Sequence, residues 1–213
     1  MPHESHPSIA GLRRRIARIT GEAAPRAETT AALAACPGDV VILGAGGKMG
    51  PTLARMVRRA ATDGRRVVAV SRWSSREAER ALRDAGVETL GCDLLDRDAV
   101  DALPDAANVI FMAGQKFGTT GAPSLPWGMN VLVPAFCADR YRDARIVAFS
   151  TGNVYALTPT TSSGSRETDK PDPIGEYAAS CLGRERVFTL AGERHHTRVA
   201  IVRLNYAIDL RYG

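Results

Sequence analysis

The stretch 44-GAGGKMG-50 has the residue types and spacing of a loop that binds phosphate. In such a loop one glycine permits a tight turn, a second lets the backbone approach a pyrophosphate, and a third allows the next helix to pack closely. Gly44, Gly47 and Gly50 meet these needs, and the following helix would direct its free N–H groups at the phosphates. Because the loop follows an apolar run and opens an amphipathic one, we predict dinucleotide binding. The alternative is a glycine-rich turn without a ligand.

The second apolar run ends at Ser71 and Arg72, where NAD-binding domains usually have an acidic residue for the ribose hydroxyls. An acid would repel a 2′-phosphate, whereas the guanidinium of an arginine offers a planar fork of donors suited to one. Ser71 adds a hydroxyl, and Lys48 adds a positive charge nearby. We therefore predict NADP rather than NAD as the cofactor. The alternative is that Arg72 only points to solvent.

Asp93 closes a third, shorter apolar run in 91-GCDLLD-96. A carboxylate at this position suits a hydrogen bond from the amino group of adenine. An aspartate that caps a helix or stabilises a turn would stand in the same place. One residue serves only one of these roles well, so both alternatives stay open.

Apolar runs rich in valine and isoleucine alternate with helical patterns from residue 39 onward. Runs of this length without polar alternation are typical of strands covered on both faces. They are 39-DVVILGAG-46, 66-RVVAVSR-72, 88-ETLGCDL-94, 108-NVIFMAG-114, 145-RIVAFST-151 and 198-RVAIVRL-204. Strand–helix alternation with right-handed crossovers predicts an α/β fold with a doubly wound parallel sheet, Rossmann-like, of at least six strands.

The segments between the runs have helical spacing and helix-end signals. Pro51 fits the first turn of its helix, and Gly64 and Gly86 fit helix ends. The predicted helices are 51–64, 75–86, 97–103, roughly 125–141 and roughly 175–193.

Residues 1–38 differ from the predicted dinucleotide-binding domain at 39–213. The segment 8–20 has apolar residues at helical spacing and a run of arginines on its other face. It predicts an N-terminal helix docked on the domain surface or, alternatively, a dimer contact or an anionic-surface contact. Residues 21–38 carry Pro, Gly and Thr, and we interpret them as a linker.

The amino-acid composition and the net charge argue against several classes of protein. The 213 residues are 45% hydrophobic and 24% charged, as in a globular domain with a substantial core. The net charge of +5 is spread along the chain, so no nucleic-acid partner is expected. The four cysteines form no CxxC motif, and no apolar run reaches about 18 residues. We expect reduced thiols, a cytoplasmic location and no membrane partner.

These motifs resemble those of the extended short-chain dehydrogenases/reductases, the NAD-dependent epimerase/dehydratase family. The resemblance extends over residues 39–213 and is carried by GxxGxxG at 44–50, Asp93-Leu94, 112-MAG-114, 149-FSTGNVY-155, Tyr177 and 203-RLNY-206. The fifth-strand motif of the family reads SSxxVYG. Matching its VY to Val154 and Tyr155 places the catalytic hydroxyl on Thr151, and Tyr177 follows at the family's usual interval.

The resemblance implies hydride transfer at a carbonyl or alcohol carbon of a small-molecule substrate, with sugar nucleotides as the common substrates of the family. Tyr177 would donate or accept a proton at the oxygen, and Thr151 would orient that oxygen. The resemblance and the motifs together predict no metal site and a cofactor bound by Gly44, Gly47, Lys48, Met49, Gly50, Ser71, Arg72, Asp93, Leu94, Ala113 and Gly114.

The sequence departs from the family at Cys181, where the family has a lysine one helical turn after the tyrosine. That lysine lowers the tyrosine pKa from its reference of about 10 and holds the nicotinamide ribose, and a thiol does neither. In one interpretation Lys116 or Arg184 substitutes, with Lys116 the preferred third catalytic residue. In another the protein is a non-catalytic NADP-binding sensor or scaffold. In a third Cys181 is itself a reactive or redox-sensing thiol. In a fourth the register is different, and Tyr155 or Tyr206 has the active role.

The family usually continues into a C-terminal substrate-binding region, whereas this sequence ends soon after the sixth apolar run. Its last residues, 205-NYAIDLRYG-213, have the pattern of an unfinished connection. We therefore expect a truncated chain or, alternatively, a minimal domain that borrows a lid from a partner, for example in a homodimer.

Overall fold

The computed structural model of the protein describes residues 25–61, 64–116 and 121–205. Within these ranges six parallel strands form one sheet in the order β3-β2-β1-β4-β5-β6. The strands are β1 (Val40–Leu43), β2 (Val67–Ser71), β3 (Glu88–Gly91), β4 (Asn108–Phe111), β5 (Arg145–Thr151) and β6 (Arg198–Leu204). The predicted doubly wound parallel sheet is confirmed. Its order reverses between β1 and β4, the point at which folds of this type bind ligands.

Helices connect the strands, as the right-handed crossover of parallel strands requires. The helix α1 (Ala27–Ala34) precedes β1, and the connecting helices are α2 (Gly50–Ala60), α3 (Arg76–Asp84), α4 (Arg97–Asp101), α5 (Ser124–Trp127), α6 (Val133–Arg140) and α7 (Gly175–His195). Helix α7 is the long helix that leads into β6, and it carries Tyr177 in its first turn.

Alternate residues of the central strands point to opposite faces of the sheet. On one face Val41 joins a core cluster with Phe111 and Phe188, whose rings pack edge to face with centroids 5.2 Å apart. On the other face Val40 and Ile42 join a second cluster. Both faces of β1 therefore exclude water, which explains why the strand is apolar at every position.

Residues 21–38, which we interpreted as a linker, contain the helix α1. None of its residues is fully buried, although Leu33 packs against the second core cluster. Arg65 ties its end to the domain by donating hydrogen bonds to the carbonyls of Leu33 and Cys36, at 3.1 and 2.7 Å. The alanines of this segment favour a helix, but they leave no strong apolar stripe to reveal it. The helix predicted at 8–20 lies outside the described residues.

The single helix predicted at 125–141 is divided by a π-helical turn, Gly128–Leu132. The N–H of Val133 donates to the carbonyl of Gly128, one residue further back than in an α-helix. Pro134 has no N–H with which to continue the regular ladder, so a wider turn is accommodated here. The turn places Asn130 in the interior with its side chain fully buried, next to the candidate site.

Candidate active site

The carboxyl ends of β1, β2 and β4 border two adjoining cavities at the point where the strand order reverses. The larger, of about 340 Å³, contains Arg72 in its wall, and we call it the Arg72 cavity. The smaller, of about 270 Å³, contains Tyr177 in its wall, and we call it the Tyr177 cavity. Both are lined by Gly44, Gly47, Met112, Ala113 and Gly114, so they form one continuous cleft.

The glycine loop is shaped partly by packing and partly by open space. Gly44 has φ +86°, and a Cβ on it would lie 2.5 Å from the backbone of Ala113. A Cβ on Gly50 would overlap the carbonyl of Ala45. At Gly47, by contrast, the nearest atom to a Cβ is the carbonyl oxygen of Gly44 at 3.7 Å. The fold itself therefore needs glycine at the first and third positions, whereas the second leaves the backbone open to the cleft.

Helix α2 presents an uncapped N-terminus at this loop. Its N-cap residue Met49 lines the Tyr177 cavity and makes no side-chain capping hydrogen bond. The first N–H groups of the helix thus keep their donors for a ligand, and the helix dipole favours an anion there. A pyrophosphate fits this open, uncapped loop, so the residues present suit a dinucleotide.

Apart from Lys48, the residues predicted to contact the adenosine line the Arg72 cavity: Ser71, Arg72, Asp93 and Leu94. Arg72 is exposed, and the hydroxyl of Ser71 lies against Gly46, where a Cβ would overlap it. Asp93 also lines the cavity, but its Oδ1 accepts a hydrogen bond from the N–H of Leu95 at 3.1 Å. The turn role of Asp93 is therefore present in the structure, and its adenine role stays a prediction. Lys48 lies in the wall of the other cavity, beside Tyr177.

Tyr177 and the buried Thr151 come together at the end of the cleft, because β5 ends at Thr151 and α7 begins just before Tyr177. Burial raises the pKa of the Tyr177 hydroxyl, and the neighbouring Cys181 raises it further. A hydrogen bond with Thr151 and the charge of Arg184 act in the opposite direction. The hydroxyl is consequently protonated at neutral pH and is able to donate.

Two cations flank Tyr177, one at the mouth of the cleft and one beneath it. The Nζ of the exposed Lys116 lies 5.3 Å from the centroid of the Tyr177 ring, over its face. Arg184 is buried, with only 6% of its surface exposed, and it also lines the Tyr177 cavity. The structure thus brings both residues that could replace the absent lysine next to Tyr177.

Cys181 is fully buried beneath Tyr177. Burial raises the pKa of its thiol, with the positive charge of Arg184 acting against this. A neutral thiol without solvent access is a poor nucleophile, so the surroundings favour a packed residue over a reactive one.

Asn130 connects three elements around the Tyr177 cavity. Its Oδ1 accepts from the N–H of Gln115 at 3.0 Å, and its Nδ2 donates to the Gln115 carbonyl at 3.1 Å. The Nδ2 also donates to the Oγ of Ser180 on α7, at 2.9 Å. The asparagine therefore fixes the loop after β4 relative to the helix that carries Tyr177.

A second buried network, centred on Glu185, was not predicted from the sequence. Its carboxylate accepts from the Oγ of Ser150 at 2.5 Å and pairs with Arg203 at 2.8 Å. Arg203 also donates to the hydroxyl of Tyr155 at 2.6 Å. The sequence signal that could have revealed this network is Glu185 itself. It lies on the side of α7 that faces the sheet, and a buried carboxylate there needs a partner.

Other candidate chemistry is not supported within the described ranges. His195 and His196 are exposed, and no three of the described His, Cys, Asp and Glu side chains form a group that could hold a metal ion. The described helices include none that is both long and apolar enough to cross a bilayer.

Comparison with known proteins shows a family and solved structures to which this chain is similar. The family model described as "NAD dependent epimerase/dehydratase family" matches residues 40–207. The search of the curated proteins found no match for the chain.

Solved structures share the fold. MoeE5 in complex with UDP-glucuronic acid and NAD is 25% identical, with a TM-score of 0.63 over 78% of this chain and 54% of that one. The UDP-glucose 4-epimerase of Thermus thermophilus, in complex with NAD, is 23% identical, with a TM-score of 0.65 over 78% and 54%. DesIV, a dTDP-glucose 4,6-dehydratase from Streptomyces venezuelae with NAD and TYD bound, is 22% identical, with a TM-score of 0.68 over 78% and 55%. The chain spans about half the length of these proteins.

Proposed function

Because the chain belongs to the NAD dependent epimerase/dehydratase family, we propose that it is an oxidoreductase, epimerase or dehydratase of the short-chain dehydrogenase type. Its cofactor class is a nicotinamide dinucleotide, as the family name states and as the NAD in similar structures supports. One observation carries the proposal: Tyr177, which lies in the first turn of α7 next to Thr151 at the end of β5, lines the same cleft as the glycine loop.

Tyr177 is the group that we assign to proton transfer. Its burial keeps the hydroxyl protonated, so it donates to a substrate carbonyl oxygen and takes the proton back in the reverse direction. Thr151 orients that oxygen through its own hydroxyl. The nicotinamide, when bound, supplies or accepts the hydride. Lys116 reaches over the Tyr177 ring from the cleft mouth, in position to contact an anionic part of the ligand.

We propose that the cofactor is NADP. Arg72 is exposed at the wall of the Arg72 cavity beside the Ser71 hydroxyl, and no carboxylate of β2 competes with a 2′-phosphate there. Arg72→Ala should weaken NADPH binding about tenfold or more, since a hydrogen bond to a charged group contributes about 1.5–3 kcal/mol. NADH affinity should not change, and titration calorimetry with both dinucleotides checks this. Tighter binding of NADH than of NADPH by the unaltered protein would overturn the NADP assignment.

We further propose that the substrate is a sugar nucleotide. The MoeE5 structure that shares this fold holds UDP-glucuronic acid. In this chain a third cavity, of about 500 Å³, lies at the carboxyl ends of β5 and β6. Its wall includes Asn153, Tyr155, Arg203 and Asn205, whose amide, hydroxyl and guanidinium groups suit sugar hydroxyls and phosphate.

Turnover of a defined set of sugar nucleotides tests the proposed function. The chain would be incubated with NADP or NAD and, separately, UDP-glucose, UDP-glucuronic acid or dTDP-glucose, and the products separated by chromatography. Tyr177→Phe should lower the rate about 10²- to 10⁴-fold, the usual contribution of a positioned proton donor. Cofactor affinity should be retained.

Tyr141→Phe is the matched control. It removes the hydroxyl of another buried tyrosine, which donates to the Pro104 carbonyl away from the cleft. This variant should keep full turnover. Equal losses in Tyr141→Phe and Tyr177→Phe would remove the catalytic role of Tyr177.

A non-catalytic NADP-binding sensor or scaffold is the second candidate. It is favoured by one observation, that the pKa of Tyr177 is raised rather than lowered beside Cys181. Tight NADPH binding together with no turnover of any of the three sugar nucleotides, and no effect of Tyr177→Phe, would support this candidate instead.

A further inference from the structure

We propose that Arg184 is a positioning residue for the reaction at Tyr177, the buried cation that fixes the floor of the Tyr177 cavity in place of a lysine at position 181. The inference rests on the proposed function and deepens it. It also selects between the two cations that flank Tyr177, because it assigns to Lys116 only the contact over the ring.

The guanidinium of Arg184 joins three elements that form the cavity floor. Its Nη1 donates to the carbonyl of Phe149 on β5 at 2.8 Å. Its Nη2 donates to the Oδ1 of Asn130 in the π-helical turn at 2.6 Å. Since Asn130 also holds Gln115, the loop after β4 is fixed through Arg184 to the helix that carries Tyr177.

Gly114 and Cys181, which neighbour the side chain of Arg184, are small residues that leave space for it. A Cβ on Gly114 would lie 2.5 Å from the Nη2 of Arg184 and 3.0 Å from the Oδ1 of Asn130. Gly114 does not have a positive φ, so close approach rather than backbone conformation requires glycine there. Cys181, one turn before Arg184 on the same face, is short enough for the arginine to run past it. An arginine at 184 and a small residue at 181 thus complement each other.

The hydrogen bonds of the Arg184 guanidinium go to neutral oxygens, which carry no opposite charge. Both donors that the structure pairs go to a carbonyl and an amide oxygen, and its buried Nε has no partner among the described residues. The adjacent carboxylate, Glu185, pairs instead with Arg203. A guanidinium remains protonated even when buried, so an unneutralised positive charge lies beneath Tyr177.

That charge acts on the proton donor. Burial raises the pKa of Tyr177, and the positive charge of Arg184 lowers it. The other charged or titratable groups around the tyrosine are Cys181 beneath it, Lys116 over its ring, Lys48 in the same cavity wall and Glu185 next to Arg184. Arg184 combines a buried positive charge with hydrogen bonds to the cavity floor, so we expect its removal to raise the titration midpoint of Tyr177.

The test is the titration of Tyr177 in the chain without added cofactor or substrate. Ultraviolet difference absorbance would follow the phenolate, and subtraction of Tyr177→Phe would assign it. Arg184→Met should raise the titration midpoint by about one pH unit, because it removes the nearby positive charge. Lys116→Met, the matched loss of the exposed cation, should shift the midpoint much less. The reverse order of the two shifts would overturn the proposal.

A second variant, Gly114→Ala, tests the proposal if Arg184→Met does not fold. Gly114→Ala places a methyl against the guanidinium and displaces it while keeping its charge in the chain. It should raise the Tyr177 midpoint and weaken NADPH binding at least about tenfold, since the loop at the cleft is displaced with it. A wild-type midpoint and wild-type affinity in a folded Gly114→Ala chain would count against Arg184. Because the titration needs no turnover, it is read separately from the Tyr177→Phe rate test of the proposed function.

Discussion

Backbone atoms form one end of the cleft, at the glycine loop, and side chains form the other end, at the Tyr177 cavity. In the glycine loop the groups that face the cleft are backbone N–H groups and an open Gly47, fixed by close packing of Gly44 and Gly50. In the Tyr177 cavity they are side chains held in two buried networks, one centred on Asn130 and one on Glu185. The glycine loop offers its backbone to a ligand because side chains are absent there. The Tyr177 cavity depends instead on contacts between side chains that are far apart in sequence.

Because of this difference we expect the two ends of the cleft to tolerate substitution to different degrees. A glycine in the loop has no substitute when backbone atoms approach to 2.5 Å. A positive charge beside a tyrosine, by contrast, can reach the same place from another position of the helix. Under our proposal the cation at this site is Arg184, which lies one turn after Cys181 on α7.

The largest expected effect comes from breaking the side-chain end. Arg203→Met leaves the carboxylate of Glu185, of which 2% is exposed, without its cation. Removing one partner of a buried ion pair costs about 3–5 kcal/mol, so the free energy of unfolding should fall by that amount. Urea unfolding followed by circular dichroism measures it. Arg203→Met combined with Glu185→Gln should recover much of the loss.

Arg66→Met is the control for this prediction. Arg66 pairs with Glu88 at 2.9 Å, but half of its side chain is exposed. Exposed pairs contribute little, so this variant should unfold at nearly the wild-type urea concentration. Similar midpoints for Arg203→Met and Arg66→Met would show that the Glu185 network does not hold the Tyr177 end together.

A smaller effect distinguishes two glycines of the backbone end. Gly50→Ala forces a Cβ onto the Ala45 carbonyl and should destabilise the fold by about 1–3 kcal/mol, as overpacking does. Gly47→Ala meets no atom closer than 3.7 Å, so stability should be unchanged while NADPH affinity falls. Thermal unfolding and calorimetric binding on both variants check this. A destabilised Gly47→Ala with unchanged affinity would mean that the open face of the loop is not where the dinucleotide binds.

More of the glycine-loop end of the cleft than of the Tyr177 end could be predicted from the sequence. The sheet, its connecting helices and the glycine loop follow from local patterns, because apolar runs and glycine spacing are read within a few residues. The positions of Arg184 and Glu185 do not follow, since their partners Asn130 and Arg203 come from other elements of the fold. Both candidate cations were recognised, but choosing between them needed the burial of Arg184 and the direction of its guanidinium. The π-helical turn was also hidden, because Pro134 is compatible with a helix start as well as with a widened turn.

The smallest effect compares a buried thiol in the core, Cys137, with the buried thiol beneath Tyr177, Cys181, at alkaline pH. Burial raises the pKa of the Cys137 thiol well above its ordinary value of 9.0, and it also raises the pKa of Cys181, where Arg184 opposes it. Above that ordinary value an unfolded chain releases these protons while the folded chain keeps them, so stability falls as pH rises. One pH unit above it, each fully retained proton costs about 1.4 kcal/mol.

Cys137→Ala should therefore flatten the alkaline decline in stability more than Cys181→Ala does, because only Cys181 has a cation beneath it. Urea unfolding of both variants and of the unaltered chain at pH about 7.5 and about 10 gives the slopes. A slope that flattens more in Cys181→Ala than in Cys137→Ala would mean that the charge of Arg184 does not oppose the effect of burial at position 181. It would then be too weak to act one turn earlier, at Tyr177.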